Sequence, residues 1–206
     1  MKTKLIFLLA ILISAFFTSC NRRTWPTDLG AASFASRNTW TISGNGITQI
    51  WSDAVQTVYC SNKTSFENSN LETENFNTVN CRSNPGFPGD LFSWGAMFEI
   101  GYQLCPRPWR VPTQQDFVDL DIIMGGTGNF RIDENFVNAN YIERWGGAVG
   151  SEGFSMGSTS ASANYWAMRD TNAEEGFFLR FDTFGRITPR GFVIRSTSGF
   201  SLRCIR

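Results

Sequence analysis

Cysteine is the most reactive residue type in this chain of 206 residues, because the sequence contains no histidine. Histidine is the commonest general base and the commonest zinc ligand, so its absence removes the usual means of acid–base catalysis and zinc binding. The cysteines occupy positions 20, 60, 81, 105 and 204, and no two have C-x-x-C spacing. The sequence therefore predicts no metal and no cofactor, and it assigns the cysteines to covalent modification and cross-linking.

Paired carboxylates are the remaining candidates for catalysis. They are Asp119 with Asp121, Asp133 with Glu134, and Glu174 with Glu175. Neighbouring acids point in different directions on a helix or strand, so we interpret each pair as part of a solvated face. No catalytic residue is predicted, and the chain is interpreted as a non-enzyme.

Cys20 follows a segment that has the pattern of an export signal. Lys2 and Lys4 precede an apolar stretch over residues 5–17, which ends in Thr18-Ser19-Cys20. Thirteen helical residues rise only about 20 Å, which is too short to span a bilayer, so residues 1–19 are predicted to be a signal peptide. Small residues before a cysteine resemble the lipobox of bacterial lipoproteins, which predicts lipid attachment at Cys20. The alternative is an ordinary secretory signal in which Cys20 is incidental.

An exported chain lies in a compartment that permits disulfides, and four cysteines remain once Cys20 carries lipid. Four cysteines allow three connectivities. Residues 20–38 are polar and small without a sustained period, so they are predicted to form a tether before a domain over residues 39–206.

The charge balance excludes one class of partner. Lys plus Arg and Asp plus Glu are each 18, which gives no electrostatic reason to expect nucleic acid. One asymmetry is that no acid follows Asp182, whereas five arginines do, namely Arg186, Arg190, Arg195, Arg203 and Arg206. We interpret these arginines as solvated or paired with acids, and a binding patch is the alternative.

Local patterns predict an α+β fold. Asn45-Gly46 between alternating residues predicts a hairpin over residues 40–50. Three helices are predicted. The first covers residues 91–102 with Asp90 as the cap, the second begins at a near capping box formed by Thr113 and Asp116, and the third covers residues 133–145. The remaining strands are predicted at 164–168, 176–182, 186–188, 192–195 and 200–205.

Five segments occur in an order that resembles a known family. They are L-F-S-W-G-A-M (91–97), C-P-R-P-W-R-V-P-T (105–113), W-G-G (145–147), Y-W (165–166) and G-F-S-L-R-C-I-R (199–206). This order resembles the Fibrobacter succinogenes major paralogous domain over residues 39–206. Pro108 stands where that pattern usually has glycine, which predicts a changed local turn.

The resemblance implies a fold similar to the C-type lectin, with two or three helices packed on short antiparallel strands and long irregular loops. It also implies a lipoprotein of the cell envelope in Bacteroidetes and their relatives, on either face of the outer membrane. The resemblance, together with locality, favours bridges Cys105–Cys204 and Cys60–Cys81. Trp109 is interpreted as a buried anchor, with ligand stacking as the alternative. The calcium-binding tripeptides of true C-type lectins are absent, so no metal is predicted.

The lectin-like fold places recognition in the long irregular region, here about residues 146–169. The ligand-binding candidates are Trp145, Asn164, Tyr165 and Arg169, with Tyr165 and Arg169 favoured over the tryptophans. The predicted function is a non-catalytic envelope lipoprotein that binds a glycan or protein. The alternatives are a structural component of a surface assembly and an enzyme acting on polysaccharide.

Overall fold

A computed structural model of the protein describes residues 38–61, 79–87, 89–147, 162–168, 175–194 and 198–206. The described chain is α+β, as the sequence predicts, with ten strands in three antiparallel sheets and four α-helices. The signal peptide, the tether before residue 38, Cys20 and Arg169 lie outside the described residues.

The N-terminal sheet has the order β1-β2-β10. Its hairpin joins β1 (Thr39–Gly44) to β2 (Ile47–Ala54), and Asn45 and Gly46 adopt φ of 52° and 77° at the turn. Two consecutive residues with positive φ define the tight turn that matches the twist of paired strands, so the predicted hairpin is confirmed. The C-terminal strand β10 (Arg203–Ile205) then pairs with β2.

The first long helix begins later than predicted. Residues Leu91–Ser93 form strand β4 in a small sheet of order β3-β4-β9, with β3 at Cys81–Arg82 and β9 at Gly199–Phe200. A short helix, α1 (Val58–Ser61), comes before this sheet, and α2 (Trp94–Leu104) follows β4 directly, with Ser93 as its N-cap. The predicted cap was wrong because the Asp90 carboxylate instead accepts a hydrogen bond from Thr57 N at 2.7 Å.

The second long helix, α3 (Gln114–Ile123), begins as the sequence predicts. Thr113 Oγ1 accepts from Asp116 N and the Asp116 carboxylate accepts from Thr113 N, which completes the capping box. The helix stops before Gly125, whose φ is 99°, a conformation that favours glycine.

The predicted helix over residues 133–145 is present in two forms. Asp133 caps α4 (Glu134–Phe136), which continues as a π-helix over Val137–Arg144. The sequence pattern places a helix here without distinguishing the wider winding.

The large sheet has the order β5-β8-β7-β6. Its strands are β5 (Arg131–Ile132), β6 (Ser162–Ala167), β7 (Glu175–Asp182) and β8 (Arg186–Ile194). The two strands predicted at 186–188 and 192–195 form the single strand β8. Its register shifts where Pro189 lies, opposite the step between Phe178 and Arg180, and a bulge is where a strand tolerates proline.

Both predicted disulfides are confirmed. Cys60–Cys81 brackets the loop whose residues 62–78 lie outside the described chain, and Cys105–Cys204 joins the end of α2 to β10 across 99 residues. Cα–Cα distances of 5.5 and 5.6 Å lie within the ordinary range for a bridge.

Two hydrophobic clusters hold these elements together. The first lies between the N-terminal sheet, α3, the π-helix and one face of the large sheet, and it contains Trp51, Phe117, Tyr141 and Trp145. The second lies around α2 and both disulfides, and it contains Phe92, Trp94, Trp166 and Phe200.

Candidate recognition surface

Three of the four ligand-binding candidates lie in the core, and the fourth, Arg169, lies outside the described residues. Trp145, Asn164 and Tyr165 expose 0%, 3% and 1% of their surface. The Trp145 and Tyr165 rings pack edge to face with centroids 5.1 Å apart. A ring enclosed in this way cannot stack on a ligand from solvent, so the predicted surface role of these three residues is wrong. Their residue types suit a binding surface, but Asn164 and Tyr165 lie on β6, which is buried along its whole length, and Trp145 belongs to the first hydrophobic cluster.

Asp121 also differs from the predicted solvated acid. It is fully buried on α3 and accepts two hydrogen bonds from Arg131, at 2.6 and 2.8 Å. Tyr141 Oη and Gly128 N donate to the same carboxylate, at 2.8 and 2.7 Å. Burial and the Asp121 charge raise the pKa of Tyr141 well above its ordinary value, so its hydroxyl remains a donor. Asp121 therefore acts as a structural centre for the first cluster.

Two more described aspartates are bound to arginines. Arg110 makes a bidentate pair with Asp116 at 2.6 and 2.7 Å, and Arg186 Nε donates to Asp182 at 2.7 Å. Arg186 is thus an acid-paired arginine, as the sequence interpretation proposed. Carboxylates held in this way are structural partners rather than an acid–base couple.

Arg203 contradicts the expectation that the late arginines are solvated or acid-paired. It exposes 1% of its surface, and it donates to Ser52 O at 2.6 Å and Trp145 O at 2.7 Å. Its guanidinium lies between the rings of Trp40 and Trp145, with Cζ 4.6 and 4.1 Å from their centroids. Burial lowers the pKa of Arg203 to about 10, which still leaves it charged at neutral pH. Two carbonyls and two aromatic faces replace part of its water, while its Nη2 is buried without a hydrogen-bond partner among the described residues.

Trp109 and Arg206 form a second contact between an arginine and a tryptophan, which is exposed where the contact of Arg203 is buried. Arg110 and Ile205 form an antiparallel bridge, so the next residues along, Trp109 and Arg206, lie side by side on one face. Arg206 Cζ is 4.6 Å from the Trp109 ring centroid. Arg206 is exposed and Trp109 is half-buried, which leaves the pair accessible from solvent.

This pair belongs to a row that crosses the outer face of the N-terminal sheet. Arg206 N donates to Ile50 O at 3.0 Å, and Ile50 lies opposite Thr41. Ser43 and Thr48 stand on the same face, where their hydroxyl oxygens are 2.9 Å apart. We call this surface the Trp109–Arg206 face, defined by Trp109, Arg206, Ile50, Thr41, Ser43 and Thr48. It combines an aromatic ring, a cation and several hydroxyls on one face of the sheet.

Arg206 supplies the charge of this face. In the described part of the chain no ion pair joins Arg206 to an acid, because the three ion pairs there involve Arg110, Arg131 and Arg186. Trp109 was interpreted as a buried anchor. It is half-buried and packs against the second hydrophobic cluster, so the structure supports the anchor in part and leaves part of the residue accessible to solvent. The predicted Cys105–Cys204 bridge was the signal that could have placed Trp109 beside Arg206.

Comparison with protein-family models, with curated proteins and with solved structures gives no match for the chain. No helix in the described part of the chain has the length and apolarity that a membrane crossing requires. The described residues therefore define the protein only as an α+β, disulfide-linked domain that carries the aromatic and cationic Trp109–Arg206 face.

Proposed function

We propose that this protein is a non-catalytic lipoprotein of the cell envelope that binds a glycan through the Trp109–Arg206 face. The single observation that carries the proposal is the accessible pairing of Trp109 with an arginine that has no acid partner among the described residues. Aromatic residues and arginine dominate recognition surfaces, because they combine contact area with directed hydrogen bonds.

The composition of the face favours a glycan over a protein ligand. An aromatic ring stacks on the C–H face of a sugar, while arginine and hydroxyl groups bond to the sugar hydroxyls. The hydroxyls of Thr41, Ser43 and Thr48 extend this set along the sheet, and the large apolar side chain in the row, Ile50, is half-buried. A protein interface would place more apolar area at its centre.

A lectin-like fold is part of the proposal. It is supported by the pairing of β10 with the N-terminal hairpin, by the bridge from α2 to β10, and by two long helices beside short antiparallel strands. The segments that resemble the Fibrobacter succinogenes major paralogous domain give the same interpretation. An enzyme acting on polysaccharide has less support, since Asp116, Asp121 and Asp182 are each held by an arginine.

Anchoring through Cys20 would hold the domain at the outer membrane. Replacing Cys20 by alanine is expected to release the full chain from membranes into the soluble fraction. Retention of that variant in membranes would contradict anchoring at this position.

The binding proposal is tested with the full chain in detergent on an array of neutral and acidic glycans. We expect Arg206→Ala to weaken binding to the best array glycan at least tenfold, with the melting temperature unchanged. Phe192→Ala is the matched control, because Phe192 is exposed on the large sheet, outside the face. Binding that survives Arg206→Ala, or an array with no bound glycan, would refute the proposal.

A further inference from the structure

The Arg206 guanidinium is the part of the Trp109–Arg206 face that can bond to a ligand. Among the described residues it has no acid partner and gives no side-chain hydrogen bond. Two neighbouring arginines are engaged, since Arg110 gives two hydrogen bonds to Asp116 and Arg203 donates to two backbone carbonyls. A guanidinium carries five N–H donors and no acceptor, so Arg206 offers donors alone.

The backbone holds Arg206 and Trp109 in fixed positions. Arg206 N donates to Ile50 O at 3.0 Å, and Arg206 O accepts from Ile50 N at 3.2 Å. Trp109 N donates to Pro106 O at 2.9 Å, and Trp109 packs against the second hydrophobic cluster. The Cys105–Cys204 bridge joins the two segments just before these residues. A fixed backbone lowers the entropy that is lost when a ligand binds.

The contact with Trp109 places the guanidinium without consuming its donors. Arg206 Cζ lies over the Trp109 ring, 4.6 Å from the ring centroid. The electrons of the ring attract the cation, whereas the N–H groups at the edge of a guanidinium bond to acceptor atoms. Because Arg206 is exposed, that edge is accessible from solvent.

The charges around the face indicate that its ligand is negative. The six residues that define the face include one cation and no acid. A second cation lies at the far end, where Arg144 Nη2 donates to Ser43 O at 2.9 Å. Arg206 is the stronger binding group of the two, because Arg144 already makes this bond and follows the exposed Glu143. The whole chain has 18 basic and 18 acidic residues, so the positive charge is local to this face.

A carboxylate is the anion that fits Arg206 best. The N–H groups of a guanidinium lie in parallel pairs that match the two oxygens of a carboxylate. Within the described chain Arg110 with Asp116, and Arg131 with Asp121, form such pairs at distances between 2.6 and 2.8 Å. In a glycan, a uronic acid carries this carboxylate on a ring that also has C–H groups and hydroxyls.

We propose that the ligand of the Trp109–Arg206 face is an acidic glycan, in which the carboxylate of a uronic acid residue accepts two hydrogen bonds from Arg206. The adjoining sugar residues lie along the sheet, with their hydroxyls bonded to Thr41, Ser43 and Thr48. This inference rests on the glycan binding proposed above, and it adds the charge and the chemical class of the sugar. The neutral form of the same sugar binds more weakly, because it offers the charged donors no anion.

Matched pairs of oligosaccharides test the role of the carboxylate. The array carries uronic acid oligosaccharides, each beside the same oligosaccharide with its carboxyl groups reduced to alcohols. Calorimetry with the full chain in detergent then measures the best-bound pair. We expect the wild type to bind the acidic member about tenfold more tightly, which is the size of a charge-assisted hydrogen bond.

Two variants assign this preference to Arg206. Arg206→Gln keeps an amide donor but removes the charge, so we expect it to bind both members of the pair equally. Arg190→Gln is the matched control, since it removes the same charge from an exposed position on β8, outside the face. We expect this control to keep the tenfold preference, and both variants to keep the melting temperature of the wild type.

The outcomes separate this inference from the proposed function. A neutral glycan as the best ligand, equal binding of the two members by the wild type, or a preference that survives Arg206→Gln would overturn the acidic ligand and leave glycan binding in place. Tighter binding of a sulfated oligosaccharide than of a uronic acid oligosaccharide of equal charge would overturn the role of the carboxylate. An array with no bound glycan would refute the proposed function and this inference together.

Discussion

Two arginines three residues apart near the end of the chain, Arg203 and Arg206, both lie against tryptophan rings, yet their surroundings differ completely. Arg203 faces inward between Trp40 and Trp145 and donates to two backbone carbonyls. Arg206 faces outward beside Trp109 and is exposed to solvent. The arginine–tryptophan contact is therefore part of the core at Arg203 and part of the charged surface at Arg206.

The difference shows what turns a cation–aromatic contact into a structural element. Burial removes the water from Arg203, so the carbonyls of Ser52 and Trp145 depend on it for their hydrogen bonds. Arg206 keeps its water, and its contact with Trp109 contributes little to stability. Losing Arg203 should therefore damage the fold, and losing Arg206 should damage only recognition.

The largest effect is expected from the bridge that lies between these two arginines. Replacing both Cys105 and Cys204 by serine removes the closure of a loop with a sequence separation of 99. We expect the free energy of unfolding to fall by about 4–5 kcal/mol, because the unfolded chain gains entropy. Urea unfolding of the variant and the wild type measures this. A loss below about 1 kcal/mol, the size of an ordinary point substitution, would show that β10 is held by its packing alone.

A smaller loss is expected from Arg203→Ala. This change leaves two buried carbonyls without a donor and a void between two indole rings, so we expect a loss of about 3 kcal/mol. Arg206→Ala is the matched control on the same end of the chain and should change stability by less than about 0.5 kcal/mol. Urea unfolding measures both losses of stability, and equal losses for Arg203→Ala and Arg206→Ala would contradict the difference between the buried and the exposed arginine.

The smallest effect is the pH dependence of the stability that Asp116 contributes. Burial by itself raises the pKa of Asp116, but hydrogen bonds from Arg110 and Thr113 outweigh it and leave this pKa below its ordinary value. A lowered pKa in the folded state gives stability above the unfolded pKa, and this stability is lost as pH falls through the folded pKa. We expect Asp116→Asn to cost about 1 kcal/mol at neutral pH and less at acid pH. Thermal unfolding between pH 7 and pH 3 measures this difference, and a constant difference would contradict the assignment.

Much of the local structure could be predicted from the sequence. Asn45-Gly46 specified a tight turn, and Thr113 with Asp116 specified the start of α3, because both depend on residues within a few positions of each other. The two disulfides were also predicted correctly, with the pairing taken from family resemblance and locality.

The errors arose where a distant residue decided the outcome. Leu91 and Phe92 have apolar side chains compatible with a helix, but residues 91–93 form β4 because β3 and β9 pair with them from either side. Asp121 has the local surroundings of a solvated acid, and only Arg131 and Tyr141 make its burial stable. Arg131 and Tyr141 are 10 and 20 residues from Asp121 along the chain, so a local sequence pattern does not reveal these contacts.

The sequence by itself determined the α+β class of the fold, the turn at Asn45-Gly46, the capping box of α3 and the supply of cysteines for two bridges, since these depend on short-range backbone preferences and residue counts. Only the tertiary structure decided which side chains are buried. Tyr165, Trp145 and Arg203 are buried in the core, whereas Arg206 is exposed and Trp109 is half-buried beside it. The physical reason is that burial depends on which faces of three sheets meet, and strands far apart in the chain form those faces.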